Sequence, residues 1–212
     1  MAANRRSTTF PNRETEVQLA QMWGKVAGMD EVGRGALAGP VCVGVAVATE
    51  EMGQVPKHLA DSKLISASRR MALVAPLKEW VVDWAVGAAS PVEIDRLGLT
   101  SALRLAGQRA LAQVCDVGGV LLDGKHDWLS SGDLFDAGVK VPVVTQVKAD
   151  EKCSIVAAAS VIAKVHRDRL METLSDPGYH WASNKGYGSA EHKRALREIG
   201  ISDQHRKSWK LV

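Results

Sequence analysis

The sequence predicts a single α/β domain in which helices pack on a mixed β-sheet, and three features carry that expectation. Three apolar, strand-like segments follow one another at residues 26–30, 40–48 and 80–88, close enough to form a meander. After them, two shorter apolar runs at 119–123 and 141–145 alternate with helical patterns. No repeat, low-complexity stretch or linker divides the 212 residues, a length that suits one sizeable core.

Each element has its own local reason. Residues 40–48 (Pro-Val-Cys-Val-Gly-Val-Ala-Val-Ala) are almost continuously apolar, as a strand buried on both faces requires. Ser90-Pro91-Val92-Glu93 is a capping box with proline at the first helical position. A longer helix is expected from Thr100 to Val114, with Leu103, Ala106, Ala110, Leu111 and Val114 on one face. Pro142 marks the 141–145 strand as an edge. Ser154 opens an alanine-rich helix from Ile155 to about Leu174, ended by Asp176-Pro177-Gly178. A last helix, Glu191 to Ile199, stops at Gly200.

Composition narrows the function classes. Apolar residues make up 46% and charged residues 24%, with no apolar run long enough for a membrane helix, so a membrane role is not expected. Met1 to Trp23 carries Arg5, Arg6 and Arg13 without an apolar core segment, unlike a secretory signal, and points to a cytoplasmic location. Cys42, Cys115 and Cys153 are odd in number and lack a C-x-x-C spacing, which disfavours a disulfide framework or a zinc knuckle. The net charge of +3 is uneven: residues 164–212 hold ten Lys/Arg against six Asp/Glu. A basic C-terminal quarter suits a polyanionic partner.

Four acids stand out by position: Asp30, Glu31, Asp123 and Asp150 each end a strand or follow one. In α/β sheets, ligands gather at the carboxyl ends of strands. Neighbouring strand residues point to opposite faces, so Asp30 and Glu31 can share a site only if the strand breaks at Glu31, where Gly33 and Gly35 would permit it. Two like charges ~4 Å apart repel by roughly 4 kcal/mol at an effective dielectric of 20. Four converging carboxylates must therefore take up protons or recruit cations, and two divalent ions would balance them. All-oxygen donors favour Mg²⁺ or Mn²⁺ over zinc, and such an ion pair serves in-line phosphoryl displacement by water with no protein nucleophile. Directly after the Asp-Glu pair, Gly33-Arg34-Gly35 offers a close-approach backbone and a guanidinium fork for phosphate or sugar oxygens.

At these residues the chain resembles bacterial ribonuclease HII, a type 2 ribonuclease H. The resemblance is carried by Gly28-Met29-Asp30-Glu31-Val32-Gly33-Arg34-Gly35 with Gly39-Pro40-Val41, then Asp61-Ser62-Lys63-Leu64 and Leu122-Asp123-Gly124. It continues through Lys148-Ala149-Asp150, the 158–168 segment from Ala158 to Asp168, Lys185-Gly186-Tyr187-Gly188 and His205-Arg206-Lys207-Ser208. These pieces lie in family order over roughly residues 26–209. The resemblance implies a ribonuclease H-like fold, a five-stranded mixed sheet flanked by helices, spanning residues 1–212 as one domain. Residues to about 20 would be an extension, and about 175–212 a C-terminal helical region that binds substrate. It implies Asp30, Glu31, Asp123 and Asp150 as catalytic metal ligands for two Mn²⁺ or Mg²⁺ ions.

The implied partners are RNA/DNA hybrid and duplex DNA bearing ribonucleotides, incised 5′ of a single embedded ribonucleotide to leave 3′-hydroxyl and 5′-phosphate ends. The implied working state is a monomer. Gly33, Arg34 and Gly35 would contact the ribose 2′-hydroxyl, the group that separates RNA from DNA. Tyr187 would pack on the neighbouring deoxyribose, and Lys63 would lie near substrate phosphates. Ala149 and Ser189 depart from the family's usual glycine and threonine. Gly-Arg-Gly in place of Gly-Lys-Gly separates type HII from HIII.

Other residues are read more plainly. The six histidines form no zinc spacing, and the tryptophans are expected in the core. Asp61 reads as a local cap and Asp168 as a partner for nearby cations, while His126 is a candidate neighbour of Asp123. Arg167, Arg169, Arg194, Arg197, Arg206 and Lys207 form the pool of expected phosphate contacts. Two other readings stay open: a hybrid-binding module without turnover, and another ribonuclease H-fold nuclease such as a junction resolvase.

Overall fold

A computed structural model describes residues 10–60, 62–63, 65–130 and 138–211. Asp61, expected as a local cap, lies outside the described residues. In chain order the elements are α1 (Glu14–Trp23), β1 (Val26–Val32), β2 (Val41–Ala48), α2 (Ala67–Trp80), β3 (Asp83–Ala89), α3 (Pro91–Leu97), α4 (Leu99–Leu111), β4 (Gly119–Asp123), β5 (Val143–Gln146), α5 (Ala149–Lys152), α6 (Ser154–Thr173), α7 (Trp181–Asn184) and α8 (Ala190–Ile199).

The strands form one five-stranded sheet in the order β3-β2-β1-β4-β5. The first three are the expected antiparallel meander, and β4 and β5 add in parallel beside β1, so the sheet is mixed. Pro142 precedes an edge strand, as read from the sequence, and its carbonyl accepts from Val120 N–H at 2.9 Å. Every residue of β2 is buried, which matches its unbroken apolar run.

Two helical layers cover the sheet. On one face α6 lies across β1 and β2, with Val26, Ala46, Leu121, Ile155, Ala159 and Ile162 in a shared core. On the other, α4 packs through Ala102, Leu103, Ala106 and Ala110 against Met29, Val43 and Val45. Glycine permits the approach of α6. A Cβ on Gly28 would meet Ile155 Cγ2 at 2.6 Å, and one on Gly44 would meet the Ala159 carbonyl oxygen at 2.4 Å. A third, smaller cluster gathers Ala38, Met171, Tyr179, Trp181, Ala195, Leu196 and Leu211 around the C-terminal segment.

The structure departs from the sequence reading at four points. The segment expected as a strand from residue 80 begins with the end of α2, and β3 runs from Asp83 to Ala89. Helix α2 escapes a periodicity reading because it contains Pro76 and buries only Leu73 and Leu77, while Ser66 caps its start by accepting from Arg69 N–H. Helix α1 has no counterpart among the expected elements. Its Glu16 is fully buried, pairs with Arg13 at 3.0 Å and accepts the Ile155 N–H at 2.7 Å, so one helix supplies the N-terminal cap of another far along the chain. Finally, β1 does not break at Glu31 but continues to Val32.

The capping box at Ser90 is present, with Ser90 N–H donating to Glu93 and Glu93 N–H donating to Ser90 Oγ. Arg109 of α4 adds two bonds to the same carboxylate, at 3.0 and 2.7 Å, and these, with the Ser90 bond, hold the Glu93 pKa down at about 2 from an ordinary 4.5. A depressed carboxylate stabilises the fold above its unfolded pKa and loses that contribution as pH falls through the folded value. Glu93→Gln should therefore lower Tm at pH 7, and the gap from wild type should close between pH 4.5 and about 2, as thermal melts across that range would show.

Candidate active site

The carboxyl ends of β1 and β4 lie side by side, and their pairing stops at Met29–Leu122. The residues beyond it, Asp30, Glu31 and Asp123, are released from the ladder on that side and line one cavity of about 360 Å³. Glu31 reaches this cavity although β1 is unbroken. β1 stays paired with β2 through Val32, so these residues are open on the β4 side alone. A second cavity of about 410 Å³, between α2, β3 and α6, is lined by Trp84, Ile162 and Lys78 among others and holds no carboxylate. Size does not distinguish the two; acid content does.

Asp30 is 7% exposed and hydrogen-bonded to Ser160 of α6. Burial pushes its pKa well above the ordinary carboxylate value, and the neighbouring charges of Glu31, Asp123 and Asp150 push it further the same way. Asp123 is raised as well, mainly by burial, although it accepts the Ala149 N–H at 2.7 Å and is also bonded by the Asp150 backbone. Asp150 is 3% exposed on α5, set behind the cavity and within electrostatic reach of Asp30, and its Oδ2 lies 3.3 Å from Lys63 Nζ. Alanine at position 149 is fully buried and leaves Asp150 in this cluster.

The cluster is thus a set of oxygen donors whose charges are mutually disfavoured and poorly solvated. Among the described residues no three His, Cys, Asp or Glu side chains already stand in an ion-holding arrangement. The donor set nonetheless fits a hard divalent cation, because an incoming positive charge would relieve both the burial and the repulsion.

Gly33, Arg34 and Gly35 line the same cavity, as do Lys63, Lys164 and Tyr187. Gly33 needs its positive φ of 82°, and a Cβ there would strike Arg167 Nε at 2.1 Å. The turn is held from below by two arginines, Arg167 and Arg206, both 0% exposed. Arg206 donates to the carbonyls of Gly33 (2.6 Å), Arg34 (2.8 Å) and Gly39 (3.2 Å). Since a trans peptide sets N–H opposite C=O, these bonds turn the N–H groups of Arg34 and Gly35 away from the guanidinium. Arg167 donates to Ala38 (3.1 Å) and Pro40 (2.9 Å) on one loop and to Lys185 (2.9 Å) on the other, joining the Gly-Arg-Gly turn to the Tyr187 loop. Leu37 N–H adds a 2.8 Å bond to Gly186 O.

This corrects the expectation for two basic residues. Arg167 and Arg206 are not surface phosphate contacts; their donors are engaged by backbone carbonyls. Burial lowers both pKa values, that of Arg206 to about 10 with Arg167 contributing, while a guanidinium keeps its proton in a protein. Nothing in residue type distinguishes them from the exposed arginines of the same region, and only their place beside the glycine turn could have hinted at it. Asp168 pairs with Lys164 at 2.7 Å, and His126 is exposed. Arg34 itself is exposed and ion-paired with Glu31 at 3.1 Å.

A mixed sheet with helices on both faces, carrying a buried aspartate and two half-buried acids at the adjoining ends of β1 and β4 beside a glycine-arginine turn, defines a protein of the ribonuclease H-like class. A family model, Ribonuclease HII, matches residues 27–212. A ribonuclease HII from Streptomyces avermitilis is 48% identical over 187 residues, covering 87% of this chain and 76% of that protein. One from Thermus thermophilus is 42% identical and covers 91% of each. The crystal structure of ribonuclease H2 from Pyrococcus horikoshii superposes with a TM-score of 0.68 at 28% identity, covering 88% of this chain and 94% of that one. The chain belongs to the ribonuclease HII family, metal-dependent endoribonucleases that act on RNA/DNA hybrids. Among the described residues no helix is long and apolar enough to cross a membrane.

Arg206→Met should leave the Gly33, Arg34 and Gly39 carbonyls without their donor, at roughly 1–3 kcal/mol for each buried group left unpaired. The expected result is a lower urea midpoint together with weaker binding of RNA/DNA hybrid. A variant as stable as wild type would show that the turn does not depend on this clamp.

Proposed function

We propose that this chain nicks duplexes on the 5′ side of a ribonucleotide, including a single one embedded in DNA, and leaves 3′-hydroxyl and 5′-phosphate ends. The observation that carries the reading is the gathering of Asp30, Glu31 and Asp123, with Asp150 just behind, on the same cavity as the Gly33–Gly35 turn and Tyr187. Asp30, Glu31, Asp123 and Asp150 would hold two divalent ions, Mn²⁺ or Mg²⁺. Held there, such ions would make water more acidic and would offset charge on the leaving oxygen.

The protein's own groups do the selecting. Backbone N–H groups of the Gly33-Arg34-Gly35 turn would bond the ribose 2′-hydroxyl, which a deoxyribose lacks. The Tyr187 ring, 36% exposed at the cavity wall, would pack against the adjoining deoxyribose. Lys63 would steer a phosphate while its ammonium stays close to Asp150. Arg34 would leave Glu31 as substrate and ions arrive, because that exposed pair is worth little in water. The chain would work as a monomer in the cytoplasm.

The decisive assay is a DNA duplex carrying one ribonucleotide, incubated with Mn²⁺ or Mg²⁺. A nick 5′ of the ribonucleotide with a 3′-hydroxyl is expected. No nick, a cyclic phosphate end, or equal cutting of all-DNA junctions would each overturn the reading. Asp30→Asn should lose at least about 100-fold in rate, since even partners of metal ligands cost 10–100-fold. Its melting temperature should hold or rise, because the buried carboxylate it removes carries a disfavoured charge.

A further inference from the structure

We propose that His192 and His205 are positioning residues that set Tyr187, and through it the preference for a single embedded ribonucleotide over a long hybrid. The inference rests on the reading of Tyr187 as a substrate contact.

The two imidazoles are fully buried, with Nε2 facing Nε2 at 3.0 Å. Their outer nitrogens settle which one donates. Ser202 N–H donates to His205 Nδ1 at 3.0 Å, so that nitrogen is an acceptor and His205 carries its proton on Nε2. His205 Nε2–H then donates to His192 Nε2, which leaves His192 protonated at Nδ1, and that N–H donates to the Tyr187 carbonyl at 2.9 Å. One neutral tautomer of each ring satisfies the whole chain from Ser202 to Tyr187. Burial lowers the pKa of both rings, His205 to about 4, in keeping with that neutral state.

The relay ends where it matters. Tyr187 N–H donates to Asn184 O at 3.0 Å, and its carbonyl accepts from Ser189 N–H at 2.8 Å as well as from His192. Its backbone is therefore held on both sides of Cα, which fixes the direction of Cβ. The ring is restrained more loosely, with the cations of Arg167 and Lys164 standing 5.4 and 5.8 Å from its centroid. The backbone aims this exposed ring, and the histidine pair holds the backbone. Tyr179 supports the pair by lying edge-on to both rings, at 4.6 Å from His205 and 5.7 Å from His192.

The test compares kcat/KM on a duplex with one ribonucleotide to kcat/KM on a long RNA/DNA hybrid, together with Tm. His205→Phe keeps an aromatic body but removes the donor, and should lower the ratio at least about tenfold, since a misplacement of about 1 Å can cost about 100-fold. His205→Gln keeps an amide N–H for His192 and should restore the ratio to within about threefold of wild type. A purely structural role would lower Tm and both activities together and leave the ratio unchanged, which overturns the proposal. If His205→Phe does not fold, His192→Leu carries the same comparison, with the same fall in ratio expected. Tyr187→Ala is run alongside. It should lower the ratio itself, and adding His205→Phe to it should lower the ratio no further. An unchanged ratio in Tyr187→Ala overturns the reading of Tyr187. A lowered ratio there with a wild-type ratio in His205→Phe overturns the positioning role alone.

Discussion

The close seating of α6 on the sheet is the contact on which the site depends. Gly28 and Gly44 let the helix backbone come down onto β1 and β2, and the alanines at 157, 158, 159 and 163 keep its inner face thin. From that one position α6 reaches everything else. Its first turn is tied to Glu16, Ser160 touches Asp30, and Lys164 stands at the cavity wall. Arg167 then joins two loops, and Met171 enters the C-terminal cluster. A helix held a side chain's width further out could not bond Asp30 and the 33–40 loop at once. The packing of small residues is therefore a condition for the chemistry as well as for the core.

The acidic cluster shows the opposite economy. Asp30 and Asp123 sit where burial and the charge of neighbouring carboxylates raise the cost of ionisation, and the fold concedes stability to keep them there. Bonds from the Ala149 and Asp150 backbones offset part of that cost for Asp123, and Ser160 does so for Asp30. What remains is a local excess of negative potential that attracts cations. The same excess explains why Lys63 and Arg34 lie against Asp150 and Glu31.

Much of this was legible in the sequence because the relevant signals are local. An unbroken apolar run told β2 from a surface strand, the capping box located α3, and acids at strand ends pointed to the site. What escaped was long-range or carried by residues whose type misleads. Glu16 caps a helix that starts 138 positions later, so nothing beside it announces the role. Helix α2, which contains Pro76, has too thin a buried stripe to show helical periodicity. Arginine ordinarily reads as a surface charge, and only tertiary structure reveals that Arg167 and Arg206 are internal. The Asp30–Glu31 pair was expected to need a strand break; β1 instead stays whole, and its pairing with β4 ends early.

The division of labour between the two ends of the chain follows from these contacts. The sheet contributes Asp30, Glu31 and Asp123 and the short α5 contributes Asp150, acids that any phosphodiester would find equally attractive once cations are present. In the proposed reading, recognition of the sugar comes from elsewhere, from two loops that the sheet alone cannot hold. Among the described residues, the 33–40 loop has no β-partner except the short bridge between Ala38 and His205, and the 185–188 loop has left-handed backbone at Lys185 and Gly186. Each would be mobile if free. Arg167 binds them to one another, Arg206 binds the first to the C-terminal segment, and the C-terminal cluster closes over both. Burying two guanidinium groups is costly unless every donor finds an acceptor, and the carbonyls of two otherwise weakly tethered loops provide acceptors for them. Charge burial and loop order thus secure each other. This makes the C-terminal region a structural support for both loops, with no need for it to supply an acid to the cluster.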